Sequence, residues 1–482
     1  MNPDGTDQKS YYGSNSYWPN SLFYARPVPN SSTKFVGIVS GHHGTRRSGP
    51  LVLFDTSLGR HEADGAVQLI GKRGEKVLPL VVDGLASRYK PHFLHPYPLS
   101  DKYMLTSANL GGWNLFLVDT FDNMILLKKT EDGQSLFEPV PFRKTKRPAQ
   151  IPDRIVPGAK DATVIISDIY FGPGLKGVPK GAVKNIRVYK YEYGPRRKGG
   201  HYAMGMEAGW DAHLILGTVP VESDGSTTFK IPANTPISLQ PLDKDGKALQ
   251  LMRSWLVGMP GERLSCIGCH ENQNSAPATK MTISSRKPPK TITPWYGPVR
   301  GFSFQREVQP TLDKFCVGCH SGQPRKDGKK IPDLHEPRIA HTNLHPYVRR
   351  NGPEGDYHLL TPLEFHADTS ELVQMFQKGH HNVKLDKEAW DRIITWIDLN
   401  APRHGTWTEA GASKQILDRR LELRKLYASV DTNPEFIHNP YKKTEKFIKP
   451  EPLKRSTAKV TVTGWPFDQA AAKKMQGASA AM

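Results

Sequence analysis

All four cysteines of the chain fall in two copies of one pentapeptide, Cys266-Ile-Gly-Cys269-His270 and Cys316-Val-Gly-Cys319-His320. C-x-x-C-H is the spacing of covalent haem c attachment, in which two thioethers tether the porphyrin and the adjoining imidazole stands ready to bind iron. Zinc is the ordinary rival for paired cysteines, but its ribbons separate the pairs by about 15–20 residues. Here 46 residues lie between Cys269 and Cys316 (316 − 269 − 1), and histidine follows both pairs directly. A disulfide within either pair would close a very short loop, which gains little from closure. The sequence therefore predicts two covalently attached haem c groups on Cys266, Cys269, Cys316 and Cys319, with His270 and His320 at the irons. Haem of this kind is attached outside the cytoplasm. The motifs thus imply a periplasmic or otherwise extracytoplasmic protein, although Met1 opens no charged, apolar, small-residue leader.

Composition narrows the fold. A chain of 482 residues allows about three domains. With 40 prolines, 42 glycines and 37% hydrophobic residues, it suits loop-rich β structure better than a helical bundle. No stretch approaches the run of about 20 apolar residues that a membrane span needs. The formal charge of +19 favours encounter with an acidic redox partner, such as an acidic cytochrome or another subunit of a larger complex. The basic residues are spread along the chain rather than gathered with aromatics on one module, which argues against nucleic acid.

The chain reads as multidomain. Phe23-Tyr24-Ala25-Arg26-Pro27-Val28-Pro29 is echoed by Phe93-Leu94-His95-Pro96-Tyr97-Pro98. Strand-like runs follow each copy: 34–40, 51–54 and 67–70 after the first, and 102–107, 115–119 and 124–128 after the second. Four short strands per unit is the pattern of a propeller blade, so residues 1–135 read as a partial β-propeller with TolB/WD40-like blades. Asp4-Gly5 is a hairpin turn signal, and Met1–Asp7 resembles the outer hairpin of a further blade. Two blades and a remnant do not close a ring, so a longer polypeptide or a partner is expected to complete it. Residues 136–160 read as a proline-rich linker. Residues 161–300 read as a β-sandwich-like middle domain that carries the first haem, with strands at 163–167, 186–193, 214–221, 227–231 and 237–241.

Residues 301–408 read as an α-helical cytochrome c domain around the second motif. Phe304, Val308, Leu312 and Phe315 lie at helical spacing, with Pro310 marking a kink or second start. Two further helices are expected at 370–378, capped by Asp368 or Thr369, and at 387–399, capped by Asp386. Residues 409–482 read as a charged helix and a disordered tail. Between the two helices lies Lys378-Gly379-His380-His381-Asn382, a turn able to fold over a haem face. His380 or His381 is expected as the second axial ligand of the His320 iron, with Met375 as runner-up. For the first iron, His201, Met204 and Met206 are weaker candidates. His42, His43, His95 and the histidines at 335, 341, 345, 358 and 366 read as structural or solvated.

A propeller, a β domain that runs into Ser265-Cys266-Ile267-Gly268-Cys269-His270-Glu271, and a cytochrome around Cys316–His320 together resemble the hydrazine synthase alpha subunit. They also resemble the dihaem proteins of planctomycetes and related bacteria that share its middle domain. The likeness spans about residues 1–407, supported by Gly217-Thr218-Val219-Pro220-Val221, Pro232-Ala233-Asn234-Thr235-Pro236 and Trp295-Tyr296-Gly297-Pro298. The resemblance implies a catalytic first haem and a bis-histidine second haem that passes electrons, with a distal histidine supplied near His380 and His381. In that family a tyrosine four residues after the first motif's histidine binds iron. Here that position is Asn274, an amide, which leaves His270 as the proximal ligand. What carries over is the architecture and a two-haem electron path rather than hydrazine formation. The function expected is that of an oxidoreductase or electron-transfer protein with a substrate site at the first haem. The alternative is an electron-transfer or propeller-based interaction module without catalysis.

Overall fold

The computed structural model describes residues 1–443 except 14–17, 20, 42–46, 72–74, 80–88, 146, 148, 196–197, 199–202, 206–210, 253, 271–280, 325–327, 329 and 349–359. Two meanders open the chain. The first runs β1 (Ser21–Pro27), β2 (Lys34–Ser40), β3 (Leu51–Asp55) and β4 (Ala66–Leu69). The second runs β5 (His92–Pro98), β6 (Tyr103–Asn109), β7 (Trp113–Asp119) and β8 (Met124–Lys128). Each is a sheet of four strands in sequential order, the form of a blade.

The first sheet buries both faces, which is why β2 and β3 are almost continuously apolar. Val36, Ile38, Leu51 and Leu53 pack on Phe93, Met104, Phe116 and Val118 of the second sheet. Phe35, Val39, Val52 and Phe54 pack on Trp18 and Leu69 on the opposite side. The repeated Phe-rich segments prove to be the same irregularity in both sheets. The register shifts between Phe23 and Arg26 in β1 and between Leu94 and Tyr97 in β5. At these shifts Tyr24 and His95 both take positive φ, and their rings meet at 4.2 Å. His95 is thus a packing residue of the bulge.

The opening residues depart from the expected blade hairpin. Met1–Asp7 form a turn without a strand, and they are tied to the middle of the chain. Arg154 N donates to Asp4 Oδ2 at 2.6 Å and Asp7 N to Glu262 Oε1 at 2.7 Å. The Asp-Gly signal marked a turn correctly but cannot say what the turn leads to.

The next six strands are β9 (Asp161–Ile166), β10 (Asn185–Glu192), β11 (Ala212–Pro220), β12 (Thr227–Pro232), β13 (Ile237–Leu242) and β14 (Arg263–Cys266). They make two sheets of three, β11-β10-β13 and β12-β9-β14. Val164, Ile166, Ile186, Val188, Val219, Phe229, Ile231 and Leu239 fill the space between the sheets. β10 has a second buried face, because strand residues alternate: Arg187 and Tyr189 point away from that core, toward the helices. Tyr189 joins the helical core, and Arg187 donates to Thr395 Oγ1 at 2.8 Å. One strand therefore serves both cores.

The helical part begins with a single π turn, Phe304–Val308, that runs into α1 (Gln309–Phe315). Pro310 sits in the first turn of α1, where its missing N–H costs nothing. There follow α2 (Pro337–Leu344), α3 (Glu371–Gln377), α4 (Lys387–Asp398) and α5 (Lys414–Ala428). Asp386 caps α4 as expected, accepting from Ala389 N at 2.8 Å. Ser370, rather than Asp368 or Thr369, caps α3; the Asp368 carboxylate is drawn instead into an ion pair with Lys247. Phe304, Val308, Leu312, Phe315, Val373, Ile393, Ile394, Trp396 and Ile397 form the helical core. α5 lies on the surface and is tethered by Arg420 and Arg424, whose guanidinium groups reach Glu192 Oε2 at 3.0 and 2.6 Å. No helix among the described residues is long and apolar enough to cross a membrane.

Candidate functional site

The second motif is a tight turn at the end of α1. Cys319 N and His320 N both donate to Cys316 O at 3.0 Å. Cys316 is buried, and burial pushes its thiol up to about 12, while Cys319 is exposed. His320 donates from Nδ1 to Pro332 O at 3.2 Å, which fixes the ring and turns Nε2 the other way. Metal-binding imidazoles are commonly held like this, with the second nitrogen on a backbone carbonyl.

Across from His320 stands His380, with ring centres 6.0 Å apart and planes tilted by 33°. Two imidazoles at this separation have room for one metal ion between them at bonds of about 2 Å each. The backbone explains why His380 takes this place. α3 stops at Gly379 with φ 86°, and His381 follows His380 with φ 44°. That left-handed turn rotates the two side chains apart, so their rings are perpendicular at 86°. His380 goes inward against Phe376, and His381 is left exposed. Burial pushes His380 down to about 4, keeping it neutral, the form a metal requires.

The first motif is built differently. β14 lies parallel to β9 with Cys266 opposite Ile166, and the motif continues alongside residues 167–174 like an added strand. Ser167 N donates to Cys266 O, Asp168 N to Ile267 O and Cys269 N to Phe171 O, at 3.0, 3.0 and 2.9 Å. Two glycines make the close approach feasible. A Cβ on Gly268 would lie 2.1 Å from Phe171 O, and one on Gly174 would lie 2.5 Å from His270 Cδ2 and 2.8 Å from Cys269 Sγ. His270 takes φ 56° and donates from Nε2 to Leu251 O at 3.2 Å. To bind iron through that nitrogen it must give up this bond.

No disulfide joins any of the four cysteines. Nor are the pairs gathered into one four-cysteine site, since among the described residues no three or more His, Cys, Asp or Glu side chains are placed to hold a metal ion together. The donor set at the second motif fits a haem c: two thiols, a carbonyl-fixed imidazole and a facing imidazole. The first motif fits thioether attachment through Cys266 and Cys269, with an iron environment distinct from the second.

The other candidates fall elsewhere. Met204 is buried against Leu214, Trp407 and Leu417 and serves packing. His335 pairs with Asp333 at 2.9 Å, while His341 and His345 are buried with Nε2 atoms 3.3 Å apart. His42, His43, His201, Met206, Asn274 and His358 lie outside the described residues. A shared feature of the site missed from sequence is the strip Lys247–Leu251, which carries no motif at all.

Burial pushes His213 and His366 both down to about 4. An unfolded chain protonates them near 6.5, so each withdraws stability as pH falls from about 6.5 toward 4, on the order of 3 kcal/mol apiece when complete. Urea midpoints should therefore drop between pH 7 and pH 5, and His213→Leu should flatten that slope by about one proton. An unchanged slope would mean His213 is protonated in the folded protein.

These features define a multidomain, β-rich protein with two dissimilar C-x-x-C-H sites. The model of the family described as "Hydrazine synthase alpha subunit middle domain" matches residues 181–271. Among solved structures the chain resembles Kuenenia stuttgartiensis hydrazine synthase, with a TM-score of 0.60 and 18% identity over 80% of this chain and 62% of that one. No curated protein matches. The protein is hydrazine synthase alpha-like, in its middle domain by sequence and more widely by fold.

Proposed function

We propose that the chain is an extracytoplasmic dihaem c-type cytochrome, with blade-like sheets over residues 1–135, a linker at 136–160, a haem-bearing middle domain at 161–300 and a cytochrome c domain at 301–408. Cys266, Cys269, Cys316 and Cys319 hold the two haems, and His320 with His380 binds the second iron. Bound haem would supply one-electron chemistry, and the chain's residues set what each site does with it. The observation that carries the reading is the His320–His380 pair, 6.0 Å apart with His320 locked by Pro332 O. A coordinatively saturated second site is an electron relay. The first site, whose His270 must release Leu251 O before it can bind iron, is the one proposed for a substrate. Protein made in the periplasm with haem-attachment machinery should keep its colour through acidic acetone extraction. Its ferric form should contain a high-spin component that binds nitric oxide, and its ferrous form one that binds carbon monoxide. Fully low-spin haem that ignores both ligands would reduce the function to electron transfer alone, and zinc without haem would end the reading.

The partner is an acidic redox protein, as a member of a larger complex or a soluble carrier. Lys378, Lys384 and Lys387 are exposed on the turn that carries His380, beside exposed Cys319 and His381. The carboxylates of this rim are already engaged, Asp386 by Lys314 at 2.9 Å and Glu388 by Arg392 at 2.6 Å. With Lys384→Glu and Lys387→Glu combined, reduction by an acidic flavodoxin at low salt should slow about tenfold or more, the size of effect that steering charges carry. A rate that ignores both charge reversal and salt would place docking elsewhere.

A further inference from the structure

One strip that belongs to neither motif is bonded both to the first attachment site and to the segment that leads toward His380. On the side of the first, Leu251 O accepts from His270 Nε2, a bond that gives way once that nitrogen binds iron. Gln250 Nε2 donates to Gly174 O at 2.9 Å, and Gly174 N donates to Cys269 O at 3.3 Å. Gly174 is also the wall against which the His270 ring and Cys269 sulfur lie.

On the helical side, the second hydrogen of Gln250 Nε2 reaches Leu360 O at 2.7 Å. Leu363 N donates to Leu249 O at 2.9 Å. Asp398 accepts from Ala248 N and Ala367 N, both at 2.8 Å, and Lys247 pairs with Asp368. The segment held this way leads into Ser370, the cap of α3, and α3 ends at the turn carrying His380.

Gln250 is wholly buried, and its oxygen accepts from Leu251 N at 2.9 Å. Both donors and an acceptor of its amide are therefore spent on joining residues 174, 251 and 360. An apolar side chain would fill the same space without the cost of dehydrating an amide, so the group present is one that dictates geometry.

We infer that Gln250 is a positioning residue through which the helical domain sets the environment of the first haem, a proposal that rests on reading both motifs as haem sites. Without its donors, the buried carbonyls of Gly174 and Leu360 must find other partners, and the wall beside His270 loosens toward water. A wetter site favours the more highly charged ferric state, so the first haem's midpoint potential falls.

The test is redox titration of the full holoprotein, following each haem by its own electron paramagnetic resonance signal, in Gln250→Leu and in the milder, length-preserving Gln250→Met. Lys247→Met serves as control, because it cuts the same strip without touching the Gln250 bonds. The expected result is full haem content with a downward shift of the first haem alone in both Gln250 variants. Lys247→Met should lower the unfolding temperature but leave both potentials in place. A wild-type first-haem potential in either folded Gln250 variant would overturn the proposal, as would an equal shift of both haems. Failure of the underlying reading looks different: wild-type protein without covalent haem at Cys266 and Cys269.

Discussion

On the proposed dihaem reading, replacing His380 by alanine should convert the second haem from six-coordinate low-spin to a form that binds carbon monoxide, while His381→Ala leaves its spectrum unchanged. Among the described residues His380 faces His320, at 6.0 Å; His381 is turned perpendicular to His380 and exposed. Loss of an axial ligand is a change of kind rather than degree, visible in the visible-region spectrum and the potential. A low-spin, ligand-inert second haem in His380→Ala, with the change appearing in His381→Ala instead, would reverse the assignment. Both variants should fold, since neither ring belongs to the helical core.

Arg187→Met should cost stability severely, about 3–5 kcal/mol, the range for breaking a buried ion pair from one side. Arg187 and Asp398 have side chains 2% and 0% exposed, with Nη1 and Oδ2 3.9 Å apart. Arg187 also donates to Gln240 Oε1 at 2.9 Å and Thr395 Oγ1 at 2.8 Å. Burial is the main cause that raises Asp398, to about 7, and Arg187 opposes it. The pH dependence follows in sign. A carboxyl with a raised folded pKa costs stability progressively as pH climbs from its unfolded value near 4 up to its folded value. Removing Arg187 moves that folded value higher, so the added penalty grows above pH 7. Chemical denaturation of the variant should thus show a larger deficit at pH 8 than at pH 6. Equal deficits at both would mean Asp398 is already neutral in the wild-type protein.

Much of the scaffold was legible. The run Lys34–Ser40 announced β2 to the residue because a doubly buried strand must be apolar throughout, and Asp386 announced α4 because a cap needs a short acceptor at that position. β14 was not legible. Arg263-Leu-Ser-Cys266 alternates polar and apolar residues over only four positions, too short a run to announce a strand, and its partner is a parallel strand about a hundred residues earlier. α2 was missed for a similar reason: Pro337–Leu344 is short and polar, and tertiary contacts of Ala340, His341 and Leu344 hold it.

The proposed chemistry rests on short-range spacing, since thioether attachment needs two thiols and an imidazole within five residues, and both copies of that pattern stand in the chain. Which imidazole meets which was not. Adjacent positions 380 and 381 are equivalent until a left-handed residue turns one inward and the other out. Two identical pentapeptides become different sites because one His uses Nδ1 on Pro332 O and the other Nε2 on Leu251 O. Those carbonyls arrive from 12 residues downstream and 19 upstream, and a buried glutamine with no sequence signature ties the Leu251 segment to residues 174 and 360. Local sequence supplied the candidate ligands; long-range hydrogen bonds, which depend on how separated segments pack, decided how each is presented.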